Sequence, residues 1–281
     1  MSRLSREPEF RELKFHANGL RLHCLDYGGE GKPPIIFLHG GSAHSHWWDF
    51  VAPAFTDRYH ALALDQRGHG DSEWPPEWAY GTRHYVSDLE TIVSTWTLGR
   101  PILVGHSMGA HNTLVFATRN ADKVRAIAAI DTPPDYSERA VEFLRHFSKR
   151  PPRRFESLAE AIKSFRLLPR ETIAKQEILD HVARFTFKRD EYDQWIHKID
   201  RRTMVREPLD LADEDLARIA CPALIVKVNN SPLLDIAIAR RMAESIPHGT
   251  LAEIDHGNHH IMLDNPDAVI KTLHGFFDRL G

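Results

Sequence analysis

The sequence predicts an α/β fold: a mostly parallel, doubly wound sheet with a helical cap inserted after strand 6, the run Ala126–Ile130. Three observations predict it. Short, continuous apolar runs bounded by Gly, Pro and Asp recur along the chain, as strands buried on both faces require. Helical periodicity fills several of the gaps between them, and that alternation builds a parallel sheet with helices on both faces. One long stretch, from about Pro134 to Ile219, breaks the alternation and carries only amphipathic helical patterns.

The elements follow in chain order. Leu20 to Tyr27 alternates in polarity and ends in Gly28-Gly29, which reads as a strand and a turn. The continuous apolar runs are Pro34 to Leu38, Tyr59 to Leu64, Ile102 to Val104, Ala126 to Ile130, Cys221 to Val228 and Thr250 to Ile254. Helical patterns span Tyr85 to Leu98, Met108 to Arg119, Leu234 to Ile246 and Pro266 to Leu280. The insertion adds four amphipathic pieces: Ser137 to Phe147, Ser157 to Leu168, Glu171 to Phe185 and Glu191 to Ile199. The chain therefore divides into a core of 1–133 and 220–281 and a helical cap of 134–219. Open α/β sheets bind ligands at the carboxyl ends of their strands. A cap over that edge encloses a pocket, excludes water and shapes the substrate.

The 281 residues suffice for one sizeable core with an inserted subdomain. Hydrophobic residues make up 42% and charged residues 27%, an ordinary soluble balance. The formal net charge is −3 and no basic stripe runs along the chain, which argues against a nucleic-acid partner. The short basic patch Lys149-Arg150-Pro151-Pro152-Arg153-Arg154 reads as a solvated turn between helices. No apolar run reaches transmembrane length, and the charged N-terminus lacks the apolar centre of a signal peptide. The expectation is a cytoplasmic protein with no membrane partner. It would act on a small-molecule substrate, with a homodimer as the one self-association in view. Cys24 and Cys221 lie in or beside strand-like runs and read as buried free thiols. No dinucleotide fingerprint, P-loop or metal-spaced cluster appears, so neither cofactor nor metal is expected. His39, His44 and His46 read as loop residues, because nothing supplies the remaining ligands of a metal.

The chemistry concentrates at Gly105-His106-Ser107-Met108-Gly109, which directly follows the run ILV and opens a helical pattern. That strand–turn–helix context gives G-x-S-x-G its meaning. A sharp turn puts the serine in a strained conformation and presents its hydroxyl at a helix N-terminus, where free amides favour developing negative charge. Ser107 is thus the expected nucleophile. An acyl-transfer serine needs two amides aimed at the oxyanion. Met108, the residue after the nucleophile, supplies one, and Gly41 in His39-Gly40-Gly41-Ser42 after the run PIIFL supplies the other. His39 is expected to orient this loop. His44 and His46 are open between pocket and surface, and Trp47 and Trp48 are expected to pack locally.

Together these motifs resemble the α/β-hydrolase superfamily, in its lidded serine-esterase-like branch. Asp65-Gln66-Arg67-Gly68-His69-Gly70-Asp71-Ser72 is similar to that branch's D-x-R-G-x-G-x-S turn, which is structural in the family. Gly257-Asn258-His259-His260-Ile261-Met262-Leu263-Asp264-Asn265-Pro266 resembles its catalytic-histidine loop. The spacing to the acidic residue and the proline picks out His259 as the base. It would take the serine's proton and return it to the leaving group.

The third group of the triad departs from the pattern. Much of the family carries an aspartate after the seventh strand, and here Asn230 stands at that place, following CPALIVKV. An asparagine can orient an imidazole but cannot balance its charge. Some relatives carry the acid after the sixth strand instead, which is Asp131 here. Asp131 is taken as the acid, with Asn230 as the alternative that would leave the triad incomplete. Asp235, expected to open a helix, and Asp255, close in sequence to His259, are poorer candidates.

A serine at the elbow argues against haloalkane dehalogenase and epoxide hydrolase chemistry, which use an aspartate there. The resemblance implies hydrolysis of an ester or lactone of a small, largely apolar substrate through an acyl-enzyme. Three alternatives stay open. One is carbon–carbon bond hydrolysis of meta-cleavage-type diketones, although His260 stands where such relatives carry tryptophan. A second is a ligand-binding protein on the same fold, which Asn230 invites. The third is a cofactor-independent oxygenase. The cap aromatics Phe143, Phe147, Phe165, Phe185, Phe187 and Trp195 suggest an apolar pocket.

Overall fold

In the computed structural model, which describes residues 8–95, 99–135, 138–205 and 211–280, the apolar runs become strands. In chain order these are β1 (Arg11–Ala17), β2 (Leu20–Asp26), β3 (Pro34–Leu38), β4 (His60–Leu64), β5 (Ile102–His106) and β6 (Ala126–Ile130). There follow β7 (Phe187–Arg189), β8 (Trp195–His197), β9 (Ala223–Val228) and β10 (Gly249–Ile254). Eight of them form one sheet in the order β1-β2-β4-β3-β5-β6-β9-β10. The β1/β2 and β2/β4 pairs are antiparallel, and every later pair in this sheet is parallel. β1 escapes the sequence reading because it is an edge strand: its outer residues are exposed and only Ala17 is buried. Such a strand needs no apolar run.

The α-helices are α1 (Thr82–Thr95), α2 (Met108–Asn120), α3 (Glu138–Ser148), α4 (Leu158–Ser164), α5 (Gln176–Phe185), α6 (Asp213–Leu216), α7 (Ile236–Ser245), α8 (Ile261–Asp264) and α9 (Pro266–Phe277). The expected helix end at Leu98 and the expected helix start at Ser137 lie outside the described residues. Local chemistry sets several of the helix starts. Asp235 accepts from Ala237 N at 2.8 Å to cap α7, and Asn265 accepts from Ala268 N at 3.2 Å ahead of Pro266 in α9.

Alternation along the parallel strands builds two cores. Ile35, Phe37, Ala61, Ala63, Val104 and Ala128 face one side, against Trp48, Phe55 and the α9 residues Leu273 and Phe277. Ile36, Leu38, Leu62, Leu64, Leu103 and Ile127 face the other, against α1, α2 and α7. Each fully buried large side chain contributes about 1.5–3 kcal/mol relative to exposure, so both faces must be covered. Cys24 and Cys221 are buried free thiols.

The insertion between β6 and β9 carries α3, α4 and α5, but it is not wholly helical. The piece Glu191 to Ile199, expected as a helix, instead contributes β8, which pairs antiparallel with β7, and Phe155 bridges to Trp195. Phe187 and Phe155 meet edge to face at 5.9 Å and bury the inner side of this hairpin. Strands of three residues are too short for a period to separate strand from helix, and the aromatic packing decides for the strand. The expected helix from Glu171 begins only at Gln176.

Candidate active site

Parallel pairing sets the carboxyl ends of β5, β6 and β9 side by side, with His106 opposite Ile130 and Ile130 opposite Val226. Ser107 follows β5 directly and Asp131 follows β6 directly. Ser107 has φ 50° and ψ −115°, a strained backbone for a residue other than glycine. Two hydrogen bonds hold it there: Ser107 N to Ile130 O and His111 N to Ser107 O, each 2.9 Å. Close approach explains the elbow's glycines. A Cβ on Gly105 would lie 2.3 Å from Gly109 O, and one on Gly109 would lie 2.4 Å from Leu38 O.

His259 sits in the loop between β10 and α8 and is buried. Its Nδ1 lies 2.8 Å from Asp131 Oδ2. The carboxylate accepts, so Nδ1 carries the proton and Nε2 keeps its lone pair. Asp131 is 0% exposed and has φ 50°, and its amide donates to Val226 O at 2.8 Å. Burial pushes the Asp131 carboxyl up, opposed by the Ser231 hydroxyl, His106 and Lys227. Lys227 is itself buried beneath the turn after β9, donating to Val228 O and, at 3.1 Å, to Ser231 O.

Asn230 is exposed in that same turn. The structure therefore brings Asp131 to the imidazole and leaves Asn230 at the surface. Asp235 caps α7, as above, and Asp255 accepts from Asn229 Nδ2 at 2.7 Å.

Ser107 and His259 line one cavity of about 170 Å³, together with Gly40, Gly41 and Ser42. Leu168 and Met204 from the insertion complete its wall. Trp47 also lines it, meeting His260 edge to face at 5.1 Å, so it does more than pack locally. His39 fixes the loop after β3. Its Nδ1–H donates to Gly40 O at 2.7 Å, and its Nε2 accepts from Gln66 N at 3.0 Å. Gly40 lies so close to the elbow that a Cβ there would stand 3.3 Å from Ser107 Cβ. Gly41 follows it along the cavity wall, and Met108 is the first residue of α2, where a helix leaves its amides without intrahelical partners.

Some residues of the site have structural roles that the sequence does not signal. His106, the variable position of the elbow, is buried and donates from Nε2 to His259 O at 2.8 Å. Burial, then the neighbouring His259 and His260, hold its imidazole well below the usual range, so it stays neutral. His260 donates from Nε2 to Pro169 O at 2.9 Å and ties the histidine loop to the insertion. Asp264 makes a second tie: it accepts from Ile173 N and Ala174 N, each at 3.1 Å, and from Asn258 N at 2.7 Å.

The Asp65–Ser72 turn is structural. Asp65 accepts from Ser45 N at 2.6 Å, His23 Nδ1 at 2.8 Å and Asp71 N at 2.9 Å. Arg67 forms a buried pair with Asp88. His44 and His46 are buried rather than at the surface, but neither lines the Ser107 cavity. His44 donates to Thr186 Oγ1 at 3.0 Å. His46 stacks on Phe185 of α5 at 3.5 Å and donates to Asp49 Oδ2 at 3.0 Å.

Among the described residues three clusters have ligand atoms close enough to hold a metal: His106, His259 and His260; His46, Asp49 and His181; and His23, Asp65 and Asp71, where Asp65 Oδ2 already accepts from His23 Nδ1 and Asp71 N. In the first, ring nitrogens are already engaged by His259 O, Asp131 and Pro169 O. In the second, Asp49 Oδ2 already accepts from both imidazoles, with His181 Nε2 at 2.6 Å. An ion at the second place would have to displace those bonds, whereas at the first Nδ1 of His106 and Nδ1 of His260 take no part in them.

Residues 35–272 match the sequence profile of the alpha/beta hydrolase family. The chain is 25% identical over 250 residues to 2-(acetamidomethylene)succinate hydrolase of Mesorhizobium japonicum, covering 88% of each chain. It is 25% identical over 270 residues to N-formylmaleamate deformylase of Pseudomonas putida, covering 93% of this chain and 94% of the relative. The crystal structure of E-2-(acetamidomethylene)succinate hydrolase superposes with a TM-score of 0.85 at 23% identity, over 96% of this chain and 100% of that one.

Proposed function

The chain belongs to the alpha/beta hydrolase family, and on that premise we propose that it is a serine hydrolase that cleaves an ester or lactone through an acyl-enzyme. The observation that carries this reading is the 2.8 Å bond from His259 Nδ1 to the buried carboxylate of Asp131, beside a strained serine on the same cavity. His259 Nε2 takes the proton of Ser107 Oγ as the hydroxyl attacks the acyl carbonyl. The amides of Gly41 and Met108 receive the oxyanion. Asp131 balances the imidazolium, which then protonates the leaving oxygen, and water reverses the roles to release the acid. The insertion over 134–219 serves as the lid that keeps bulk water from the acyl-enzyme. With a carboxylate at His259, Asn230 no longer argues for a non-catalytic ligand-binding protein.

The cavity beside Ser107 supports a small acyl group: its wall includes Trp47, Phe143, Leu168 and Leu233. The relatives named for acetamidomethylene succinate and N-formylmaleamate support a second reading, in which the acyl bond cleaved is to nitrogen. The same groups serve both reactions, since only the atom protonated on departure differs.

An activity-based fluorophosphonate tests the serine. Labelling within minutes that disappears in Ser107→Ala is the expected result, and equal labelling of wild type and Ser107→Ala would sink the assignment.

A further inference from the structure

Beside the Ser107 cavity lies a second one of about 250 Å³, and Ser42, Leu168 and Met204 stand in the walls of both. Aromatic rings of Phe147, Phe155 and Phe187 line it, as a pocket for apolar groups would have. Yet Arg153, Arg166, Arg170 and Arg201 line it too, and among the described residues no Asp or Glu does. Arg153 comes from the basic stretch expected to be a solvated turn; that stretch is exposed, and Arg153 also borders the cavity.

Arg201 is the most informative of the four. It is half-buried, lies over the Phe147 ring at 5.4 Å, and donates to Arg150 O at 3.3 Å. Among the described residues no carboxylate pairs with it. Its chain neighbour Arg202 does have such a partner, Asp200 at 2.6 Å. Burial and the like charge of Arg150 both work against the Arg201 cation. A partly buried cation without a counter-ion is costly, and an anion in the cavity would offset that cost.

A second group points the same way. His197 lines the cavity, and its Nδ1 is buried with no hydrogen-bond partner. Burial, then Arg201, pushes the imidazole down to about 4, so at neutral pH it is an uncharged ring able to donate one hydrogen bond. A guanidinium fork with a ring N–H beside it matches the oxygens of a carboxylate, which the fork can bind through two parallel bonds.

We propose that Arg201 and His197 form a carboxylate-binding subsite, so that the substrate opened at Ser107 carries an acid group held in this second cavity. The inference rests on the serine-hydrolase reading for its chemistry, but the subsite itself can be tested without turnover. An apolar acyl segment would lie along Leu168 and Met204, with its carboxylate anchored at Arg201.

Two measurements on the full chain separate the ideas. The first compares 4-nitrophenyl hemiesters of succinate, glutarate and adipate with their methyl-capped, uncharged counterparts. The free acid of at least one length should have a kcat/KM at least tenfold above its capped form. That ratio should fall at least tenfold in Arg201→Gln and recover in part in Arg201→Lys. Equal ratios in wild type and Arg201→Gln would overturn the subsite. The second measures binding of succinate, glutarate and adipate to Ser107→Ala protein by calorimetry. Binding of one diacid that is weakened at least tenfold by adding Arg201→Gln supports the subsite, even if no ester is hydrolysed and the serine-hydrolase reading fails. Turnover of the capped esters with no diacid bound would leave that reading standing and remove the subsite.

Discussion

At the scale of single residues, the site depends on which tautomer each histidine is held in. His259 points Nδ1–H at Asp131, and His106 points Nε2–H at the carbonyl of His259. The first bond orients the base, and the second holds the backbone that carries it. His106 is a positioning residue: it acts through the His259 loop. His106→Ala leaves a buried carbonyl unpaired, at about 1–3 kcal/mol, and lets the base drift. The expected result is a kcat lowered at least tenfold with KM within about threefold, and partial rescue by His106→Gln, which can still donate. A matching fall in kcat for Ala and Gln would contradict this role.

Secondary-structure elements of the core and of the insertion meet through a few buried polar contacts. Asp49, from the loop after β3, accepts from His46 and from Tyr27 at 2.5 Å on the core side, and from His181 of α5 on the insertion side. Against its burial, His181 and His46 hold the Asp49 carboxyl below the usual carboxylate range. Removing the acceptor strands three donors. Asp49→Ala is therefore expected to cost about 3 kcal/mol or more, read as a lower urea midpoint at unchanged slope. A loss under about 1 kcal/mol would mean that α5 does not depend on this contact. None of this docking was legible from the sequence, because His46, Asp49 and His181 are joined only by the fold. The elbow was legible, since strand, turn and helix are contiguous there. The acid stood between Asp131 and Asn230 because strand order decides which carboxyl end faces His259. The β7–β8 hairpin was missed because its strands are three residues each, too short for a period to declare itself.

Across the whole molecule, buried neutral histidines set the response to acid. Burial is the first cause that holds His39, His44, His106, His197 and His260 below the ordinary imidazole range. The unfolded chain takes up these protons near pH 6.5, and the folded chain takes them up only at lower pH. Stability is thus fully present above about pH 6.5 and falls as pH drops below it, at no more than about 1.4 kcal/mol per pH unit for each such histidine and only until its folded-state pKa is passed. His23 works the other way: burial lowers it, but Asp65 overrides burial and raises it. Below about pH 4 the carboxyls of Asp49 and Asp65, held low in the folded state, add to the loss. Urea midpoints measured from pH 8 to pH 5 should be level at first and then decline steadily. A flat profile would mean that these imidazoles ionise alike in both states. The mostly parallel sheet followed from the apolar runs, whereas the strand order and this pH response required the fold and the burial of each ring to be known.

The central claim is that Asp131, and not Asn230, supports His259. Turnover of one activated ester by Asp131→Asn and by Asn230→Ala tests it most directly, with thermal unfolding run alongside to show that both variants fold. In serine triads the isosteric loss of the acid removes about four orders of magnitude from kcat by leaving the histidine in the wrong tautomer. The expected result is a fall of at least a thousandfold in kcat for folded Asp131→Asn and a change within about threefold for Asn230→Ala. Turnover by Asp131→Asn within a few-fold of wild type, or a larger loss in Asn230→Ala than in Asp131→Asn, would contradict the account.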